Sequence, residues 1–192
     1  MSRIRHFVDE GCLLKMFHSF VQSHVNYNLI NWSCTHKYNL NPIRNKIKKA
    51  IRILSFSKTM YDHTESLFQN HKILPFDQLV VFRKATLMWK VARGHAPKVI
   101  SQLFTRNQHT SHRFVIPHVR NDKSKLYFET SCIMAWNSVP DSLKSTFTYN
   151  NFTQKFKKHL FDPISDTTTN PTAAPITNTQ NSTNNNIMQQ QQ

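Results

Sequence analysis

Apolar residues recur every three or four positions in the first third of the chain, which is the spacing of one face of an α-helix. Between residues 14 and 32 this stripe consists of Leu14, Phe17, Val21, Val25, Leu29 and Trp32. The pattern breaks over residues 38–42, and a second amphipathic stripe then follows, formed by Ile43, Ile47, Ile51 and Leu54. The spacing therefore predicts one long helix up to Trp32 and a second helix that begins after Pro42.

The middle of the chain predicts two further helices. A short helix is expected over residues 64–70, with Asp62 or Thr64 as its N-cap. Pro75 and Asp77 begin the next helix, which runs to about Arg93 and ends before Gly94. Apolar residues cover most of the circumference of this helix, so we expect it to lie in the centre of the fold.

The C-terminal half contains shorter elements. Helices are expected over residues 96–104, with Pro97 in the first turn, over 126–136, and around Phe152, Phe156 and Leu160. Residues 114–116 form an extended patch that Pro117 limits to an edge or a short strand. The fold class predicted is mainly α, an irregular bundle of about five to seven helices with room for one short β element near 113–128.

The last part of the chain differs in composition from the rest. From Pro163 onward it is rich in Thr, Asn, Pro, Ser and Gln and has few large apolar residues. Such a segment cannot bury enough apolar surface to offset the entropy lost on ordering. We therefore expect one basic helical domain over residues 1–161 and a disordered Thr/Asn/Gln-rich tail over 162–192.

Charge changes this picture from a generic bundle to a candidate binding protein. The chain has 25 Lys and Arg against 10 Asp and Glu, a formal net charge of +15, and no Lys or Arg follows Lys158. A positive field of this size favours polyanionic partners such as RNA, DNA or an anionic membrane. No apolar run is long enough for a membrane-spanning helix, so nucleic acid is the favoured partner class and no membrane insertion is expected.

Several kinds of chemistry lack their usual residues. The chain has two glycines, Gly11 and Gly94, so a glycine-rich phosphate loop is excluded. Its three cysteines form no C-x-x-C pair, and His109, His112 and His118 are spaced in a way that rarely closes a metal site. The carboxylates include no aspartate pair of the polymerase type. We expect no metal site, no cofactor and no enzymatic activity of this chain by itself.

Two basic segments are candidate phosphate-binding sites, because each cation can neutralise a phosphate and release counterions. The first is the helix after Pro42, and the second is the loop over residues 105–125. The candidate nucleic-acid-binding residues are Arg44, Lys46, Lys48, Lys49, Arg52, Arg106, Arg113 and Arg120. A solvated helix face and a solvated loop remain the alternative interpretations of the two runs. Trp32, Trp89 and Trp136 occupy apolar stripes and are predicted to be packing residues rather than base-stacking residues.

Four segments in order resemble the region that follows the polymerase core in non-LTR (LINE-type) retrotransposon reverse transcriptases of the jockey, CR1 and RTE type. They are LKMFHSFVQSHVNY at 14–27 with Trp32 after it, IKKAIRIL at 47–54, DHTESLF at 62–68 with ILP at 73–75, and WNSVP at 136–140 with the helix around Phe152 to Leu160. Asn28 stands where the family usually has Gly after Tyr, and Ile47 stands where it usually has Gln.

The resemblance covers roughly residues 10–161 and implies thumb-like and later helices that contact template–primer duplex or element RNA. The catalytic core of the family has no counterpart in these residues, so its polymerase activity is not carried over to any of them. The chain is then expected to be a non-catalytic C-terminal fragment, nuclear if it follows the parent element. Two alternatives stay open: a stand-alone RNA- or DNA-binding module, and a helical protein-interaction scaffold with no nucleic-acid function.

Overall fold

The computed structural model describes residues 3–56, 63–107, 112–118 and 121–161. The mainly α fold class is confirmed, and the tail over 162–192 lies outside the described residues. The α-helices in chain order are α1 Glu10–Met16, α2 Ser23–Asn26, α3 Leu29–Trp32, α4 Lys37–Leu54, α5 Thr64–Asn70, α6 Phe76–Ala92, α7 Lys98–Ser101, α8 Phe128–Asn137, α9 Asp141–Lys144 and α10 Tyr149–Phe161. A π-helical segment, Phe17–Gln22, joins α1 to α2, and a 3-10 helix, Asp122–Leu126, precedes α8.

The prediction of one continuous α-helix up to Trp32 is wrong, because the segment is divided into α1, the π-helical segment, α2 and α3. The π-helical segment widens it after Met16, and Asn28, in the left-handed region with φ 49°, separates α2 from α3. A π-helical turn and a residue at positive φ leave the apolar spacing intact, so the periodicity alone could not reveal them. At the N-terminus, the Asp9 side chain accepts a hydrogen bond from the Cys12 amide and caps α1.

The predicted break over residues 38–42 is also wrong, because α4 begins at Lys37 and contains Pro42. Proline removes one backbone hydrogen bond to the carbonyl four residues earlier, and this loss is least costly near a helix N-terminus. Leu40, Ile47, Ile51 and Leu54 are buried along one face of α4, which anchors the helix despite the proline.

Helix α6 is the central element, as its apolar circumference predicts. It packs against α3, α8 and α10. Its C-terminus has the hydrogen bonds of a Schellman motif, from Gly94 N–H to the Val91 carbonyl and from His95 N–H to the Lys90 carbonyl. Gly94 has φ 74°, a conformation in which a Cβ is unfavourable, so the glycine at this position is required by the turn.

The expected β element is reduced to one isolated antiparallel bridge between Arg106 and Phe114 among the described residues. The Asn137 side chain continues the pairing, because its amide donates to the Phe114 carbonyl at 3.2 Å and its carbonyl oxygen accepts from the Phe114 amide at 3.4 Å. Trp136 adds an indole hydrogen bond to the His112 carbonyl at 2.8 Å. Helix α8 therefore holds the extended segment in place.

The apolar core has two parts, one around the N-terminal half of α6 and one around its C-terminal half. One contains Leu13, Phe17, Ile47, Ile51 and Phe68, and the other contains Trp89, Ile133, Trp136, Phe152 and Phe156. Phe82 and Leu160 pack against both parts, so the core is continuous across α6 and α10. Trp89 and Trp136 are each 2% exposed, which confirms their predicted packing role. Trp32 is half-buried and stacks on Phe76.

Candidate nucleic-acid interface

The cations of α4 divide into an exposed group and a buried group. Lys46, Lys48 and Lys49 are exposed, on the side of the helix away from the buried Ile47 and Ile51. With Arg52, which is half-buried, they line an open trough of about 420 Å³ along the C-terminal half of the helix. These four of the candidate residues are therefore brought together by the structure.

Arg44 is not part of this trough. Its Nε donates to both carboxylate oxygens of Asp77 at 2.9 and 3.0 Å, and its Nη1 donates to the Lys37 carbonyl and to the Asn41 side chain. The guanidinium also lies 5.7 Å from the centre of the Phe76 ring, and the side chain is 17% exposed. The prediction that Arg44 is a nucleic-acid-binding residue of this helix is thus corrected, because Arg44 joins α4 to the start of α6.

The trough continues onto two other helices. A second cleft of about 470 Å³ shares Lys48 with the trough and is lined also by Thr64, Gln69 and Phe161. A third cleft of about 500 Å³ shares Gln69 and Phe161 with the second and is lined by Lys72, Lys157 and Lys158. We name this surface the α4–α10 face and define its cations as Lys46, Lys48, Lys49, Arg52, Lys72, Lys157 and Lys158.

Lys72, Lys157 and Lys158 are not among the candidate residues that the sequence predicts. The sequence does carry a signal for two of them, because Lys157 and Lys158 flank the apolar stripe of the last helix and face away from it. Their alignment with α4 depends on the packing of α10 against α6, which the periodicity of a single helix does not determine.

Among the described residues that line the α4–α10 face, two are carboxylates, and both lie in its middle cleft. Asp77 is neutralised by Arg44, and Glu65 is exposed in the first turn of α5. The six lysines of the face outnumber these carboxylates, so the described part of the face is strongly positive. Most cations of the α4–α10 face are lysines. A lysine ammonium group is a point charge on a flexible side chain, so it can contact an irregular row of phosphates.

The loop candidates lie on another surface. Arg106 and Arg113 line a cleft of about 180 Å³ together with Arg93, His112 and Lys144, and this cleft shares no lining residue with the α4–α10 face. Arg120 and His109 lie outside the described residues. Arg106, His112 and Arg113 of the predicted basic loop therefore line a cleft whose other walls are the end of α6, Trp136 of α8 and Lys144 of α9.

Other reactive side chains are held in unreactive settings. Cys132 is fully buried in the core, and burial raises the pKa of its thiol to about 12, so the thiol stays protonated at neutral pH. Cys12, Cys34 and Cys132 are free thiols. The described part of the chain contains no group of three or more His, Cys, Asp and Glu side chains that could hold a metal ion. Within the same ranges, no helix is long and apolar enough to cross a membrane.

Comparisons with protein families, with characterised proteins and with solved structures found no match to this chain. The two cationic surfaces are therefore the basis on which a function can be proposed.

Proposed function

We propose that this protein binds the phosphate backbone of RNA or DNA through the α4–α10 face, in the manner of the non-catalytic region that follows the polymerase core in non-LTR reverse transcriptases. The observation that carries the proposal is the continuity of three clefts. The first and second share Lys48, the second and third share Gln69 and Phe161, and exposed lysines from three parts of the chain line them.

The physical argument is one of counterion release. Each lysine that approaches a phosphate displaces a condensed cation from the nucleic acid, and this release drives binding without regard to sequence. Lys46 and Lys49 lie on one helix, separated by about 4.5 Å of helical rise, and Lys157 and Lys158 lie on another helix beyond the middle cleft. A strand that crosses α4, α5 and α10 can therefore meet cations along its length.

The local geometry of two motif segments supports the resemblance on which the proposal draws. Asn28 stands at the position where the family usually has Gly, and its φ of 49° is one that glycine adopts most easily. Trp32, which the motif places after Tyr27, donates its indole N–H to the Tyr27 carbonyl at 2.8 Å. In the WNSVP segment, Trp136 and Asn137 hold the extended segment around Phe114. The backbone conformation of Asn28 and the hydrogen bonds of these three side chains thus give each motif residue a structural role at its position.

The test is the salt dependence of binding by the full chain. Fluorescence anisotropy with a labelled 20-nucleotide RNA and with a DNA duplex gives log K against log salt concentration, whose slope counts the phosphates contacted, at about −0.9 per phosphate for duplex DNA. We expect the triple variants Lys46→Gln/Lys48→Gln/Lys49→Gln and Lys72→Gln/Lys157→Gln/Lys158→Gln each to reduce the magnitude of the slope by about two to three.

A matched control distinguishes the effect of losing lysines on the α4–α10 face from the effect of lowering the net charge. Lys15, Lys98 and Lys155 are exposed but do not line the α4–α10 face, and Lys155 is on the same helix as Lys157. The triple Gln variant of these three lysines carries the same net charge and should keep the wild-type slope. An equal loss in the control and the face variants would refute the assignment of the site.

A protein-interaction scaffold is the competing proposal, and exposed aromatic side chains favour it. Phe20 and Tyr27 are 62% and 81% exposed near the N-terminus, and Tyr38 at the start of α4 is 81% exposed. Contacts of this kind bury apolar surface and respond weakly to salt. Absence of wild-type binding to both the RNA and the DNA duplex at low salt would reject the nucleic-acid proposal in favour of this one.

A further inference from the structure

The small cationic cleft at the end of α6 is distinct from the α4–α10 face and is built differently. Its volume of about 180 Å³ is below the ~300–1,000 Å³ of pockets that enclose whole small-molecule ligands. Its floor includes Phe114 and Trp136, both buried, and its walls carry the cations Arg93, Arg106, Arg113 and Lys144. A cleft of this size and charge is suited to one anionic group rather than to a run of backbone.

Two arginines of the cleft are held in position by backbone carbonyls. Arg93 Nη2 donates to the carbonyls of Ser145 and Thr146 at 3.1 and 2.9 Å, and Arg106 Nη2 donates to the carbonyl of Ala92. A guanidinium has five N–H donors, and the hydrogen bonds recorded among the described residues engage one nitrogen of each. The remaining donors are pre-oriented, which lowers the entropy lost when they bind a planar or tetrahedral oxyanion.

Positive charge in the cleft exceeds the negative charge beside it. Lys144 is 3% exposed, and its Nζ donates to Asp141 at 2.9 Å and lies 5.9 Å from the centre of the Trp136 ring. The Asp141 side chain is 63% exposed, so this carboxylate lies at the rim. Arg113 and His112 also act electrostatically on Asp141, which places both near the same carboxylate. Among the described residues beside the cleft, one rim carboxylate therefore faces four permanent cations.

An aromatic side chain lies at the edge of the cleft. The Arg93 guanidinium is 5.2 Å from the centre of the Phe147 ring, and Phe147 is 85% exposed. Arg93 covers one face of the ring, and the exposure leaves the rest of it open to solvent. Nucleobases stack on exposed aromatic rings of this kind.

We propose that this cleft binds the phosphate monoester of a nucleotide, with the phosphate between Arg93, Arg106 and Arg113 and the base on Phe147. The source of the monoester is either a free nucleoside monophosphate or the 5′-terminal nucleotide of a strand. The inference uses none of the cations of the α4–α10 face, so it stands or fails independently of the proposed function.

The test is titration calorimetry on the full chain with AMP, adenosine and inorganic phosphate. We expect AMP to bind more tightly than phosphate and adenosine not to bind measurably. Arg113→Gln, an exposed position, should weaken AMP binding about tenfold. Phe147→Ala should weaken AMP binding and leave phosphate binding unchanged, because the ring contacts the base and not the phosphate, and the carbonyls of Ser145 and Thr146 still hold Arg93.

Controls and sources are distinguished by three further measurements. Lys98→Gln and the Lys46→Gln/Lys48→Gln/Lys49→Gln triple should leave AMP affinity unchanged. A hexanucleotide with a 5′-phosphate should lose affinity when that phosphate is removed. If the phosphorylated hexanucleotide binds more tightly than AMP, the site is assigned to strand ends. If the two ligands bind equally, the site is assigned to free nucleotides. No binding of AMP or phosphate, or AMP binding that Arg113→Gln leaves intact, would overturn the proposal.

Discussion

The α4–α10 face and the cleft at the end of α6 are both cationic, but they hold their charges in opposite ways. The face presents exposed lysines, among them Lys46, Lys49 and Lys157, over three connected clefts. The cleft presents Arg93 and Arg106, whose guanidinium groups are fixed by backbone carbonyls. Lysine ammonium groups adapt to an irregular phosphate row, whereas fixed guanidinium forks select one group in one geometry.

The difference teaches that net charge does not specify a partner. Both surfaces contribute to the net charge of +15 of the chain. The net charge alone does not distinguish the cations of one surface from those of the other. The arrangement of donors separates a surface suited to sequence-independent backbone contact from one suited to a single terminal phosphate. The two proposals can therefore be tested with different ligands on the same protein.

The largest effect is expected from the packing that supports both surfaces. Phe152 is fully buried and stacks near Trp89, Trp136 and Phe156, so it joins the helix that carries Lys157 and Lys158 to the floor of the cleft. Phe152→Ala should lower the free energy of unfolding by about 3–5 kcal/mol. Urea denaturation followed by circular dichroism measures the loss.

The matched control on the same helix is Asn151→Ala, because Asn151 is exposed, and its effect should stay within about 0.5 kcal/mol. If Phe152→Ala leaves the free energy of unfolding unchanged, the claim that α10 supports both surfaces is wrong.

An intermediate effect is expected at the salt bridge between Arg44 and Asp77. Arg44 is 17% exposed and Asp77 67%, so the pair lies between a surface and a buried ion pair. Arg44→Met should lower the free energy of unfolding by about 1–2 kcal/mol. The salt slope of RNA binding should stay at its wild-type value, because Arg44 supports the face without lining it.

Lys48→Gln is the reciprocal variant, since Lys48 is exposed four residues along the same helix. It should leave stability within about 0.5 kcal/mol of wild type and reduce the slope by about one. A loss of slope in Arg44→Met equal to that in Lys48→Gln, at unchanged stability, would return Arg44 to the phosphate-contacting set.

The smallest effect is expected at the rim of the cleft. The hydrogen bond from Lys144 is the main cause that lowers the pKa of Asp141 below its ordinary value of 3.8, and the charges of Lys144, Arg113 and His112 add to it. Because the folded-state pKa is depressed, the stabilisation is present above the unfolded-state pKa and is lost as pH falls through the folded-state pKa.

Asp141→Asn should therefore lower the thermal midpoint slightly at neutral pH and leave it unchanged in strong acid, where Asp141 is protonated in both states. The exposure of the carboxylate limits the effect to about 0.5 kcal/mol. A difference between the variants that grows toward acid pH would contradict this sign. Loss of the rim carboxylate should also raise the affinity of the cleft for AMP.

Much of the helical framework could be predicted, because burial imposes a period on the sequence. The apolar circumference of α6 and the spacing of Phe152 and Phe156 are direct consequences of packing, and both predictions are confirmed. The break expected before Pro42 failed because proline has a moderate cost in the early turns of a helix. The interruption at Asn28 was missed because a left-handed residue leaves no mark on the apolar spacing.

The candidate surfaces were less predictable than the fold. Within α4, sequence spacing places Arg44 and Lys48 on one stripe, but the partner of Arg44 lies 33 residues away on another helix. The contributions of Lys72 and Lys158 depend on how α5 packs against α4 and how α10 packs against α6. The charge pattern along one helix indicates which side chains are exposed to solvent. The tertiary arrangement decides which cations can contact the same ligand.

The α4–α10 face is assembled from residues more than a hundred positions apart, from Lys46 to Lys158. Unfolding disperses these cations, so a polyanion that needs all of them binds the native state in preference to the denatured ensemble. By thermodynamic linkage, a ligand present at a hundred times its dissociation constant stabilises the native state by about 2.7 kcal/mol. Nucleic acid would then act as a folding cofactor for this chain, and heating curves would shift upward as its concentration increases.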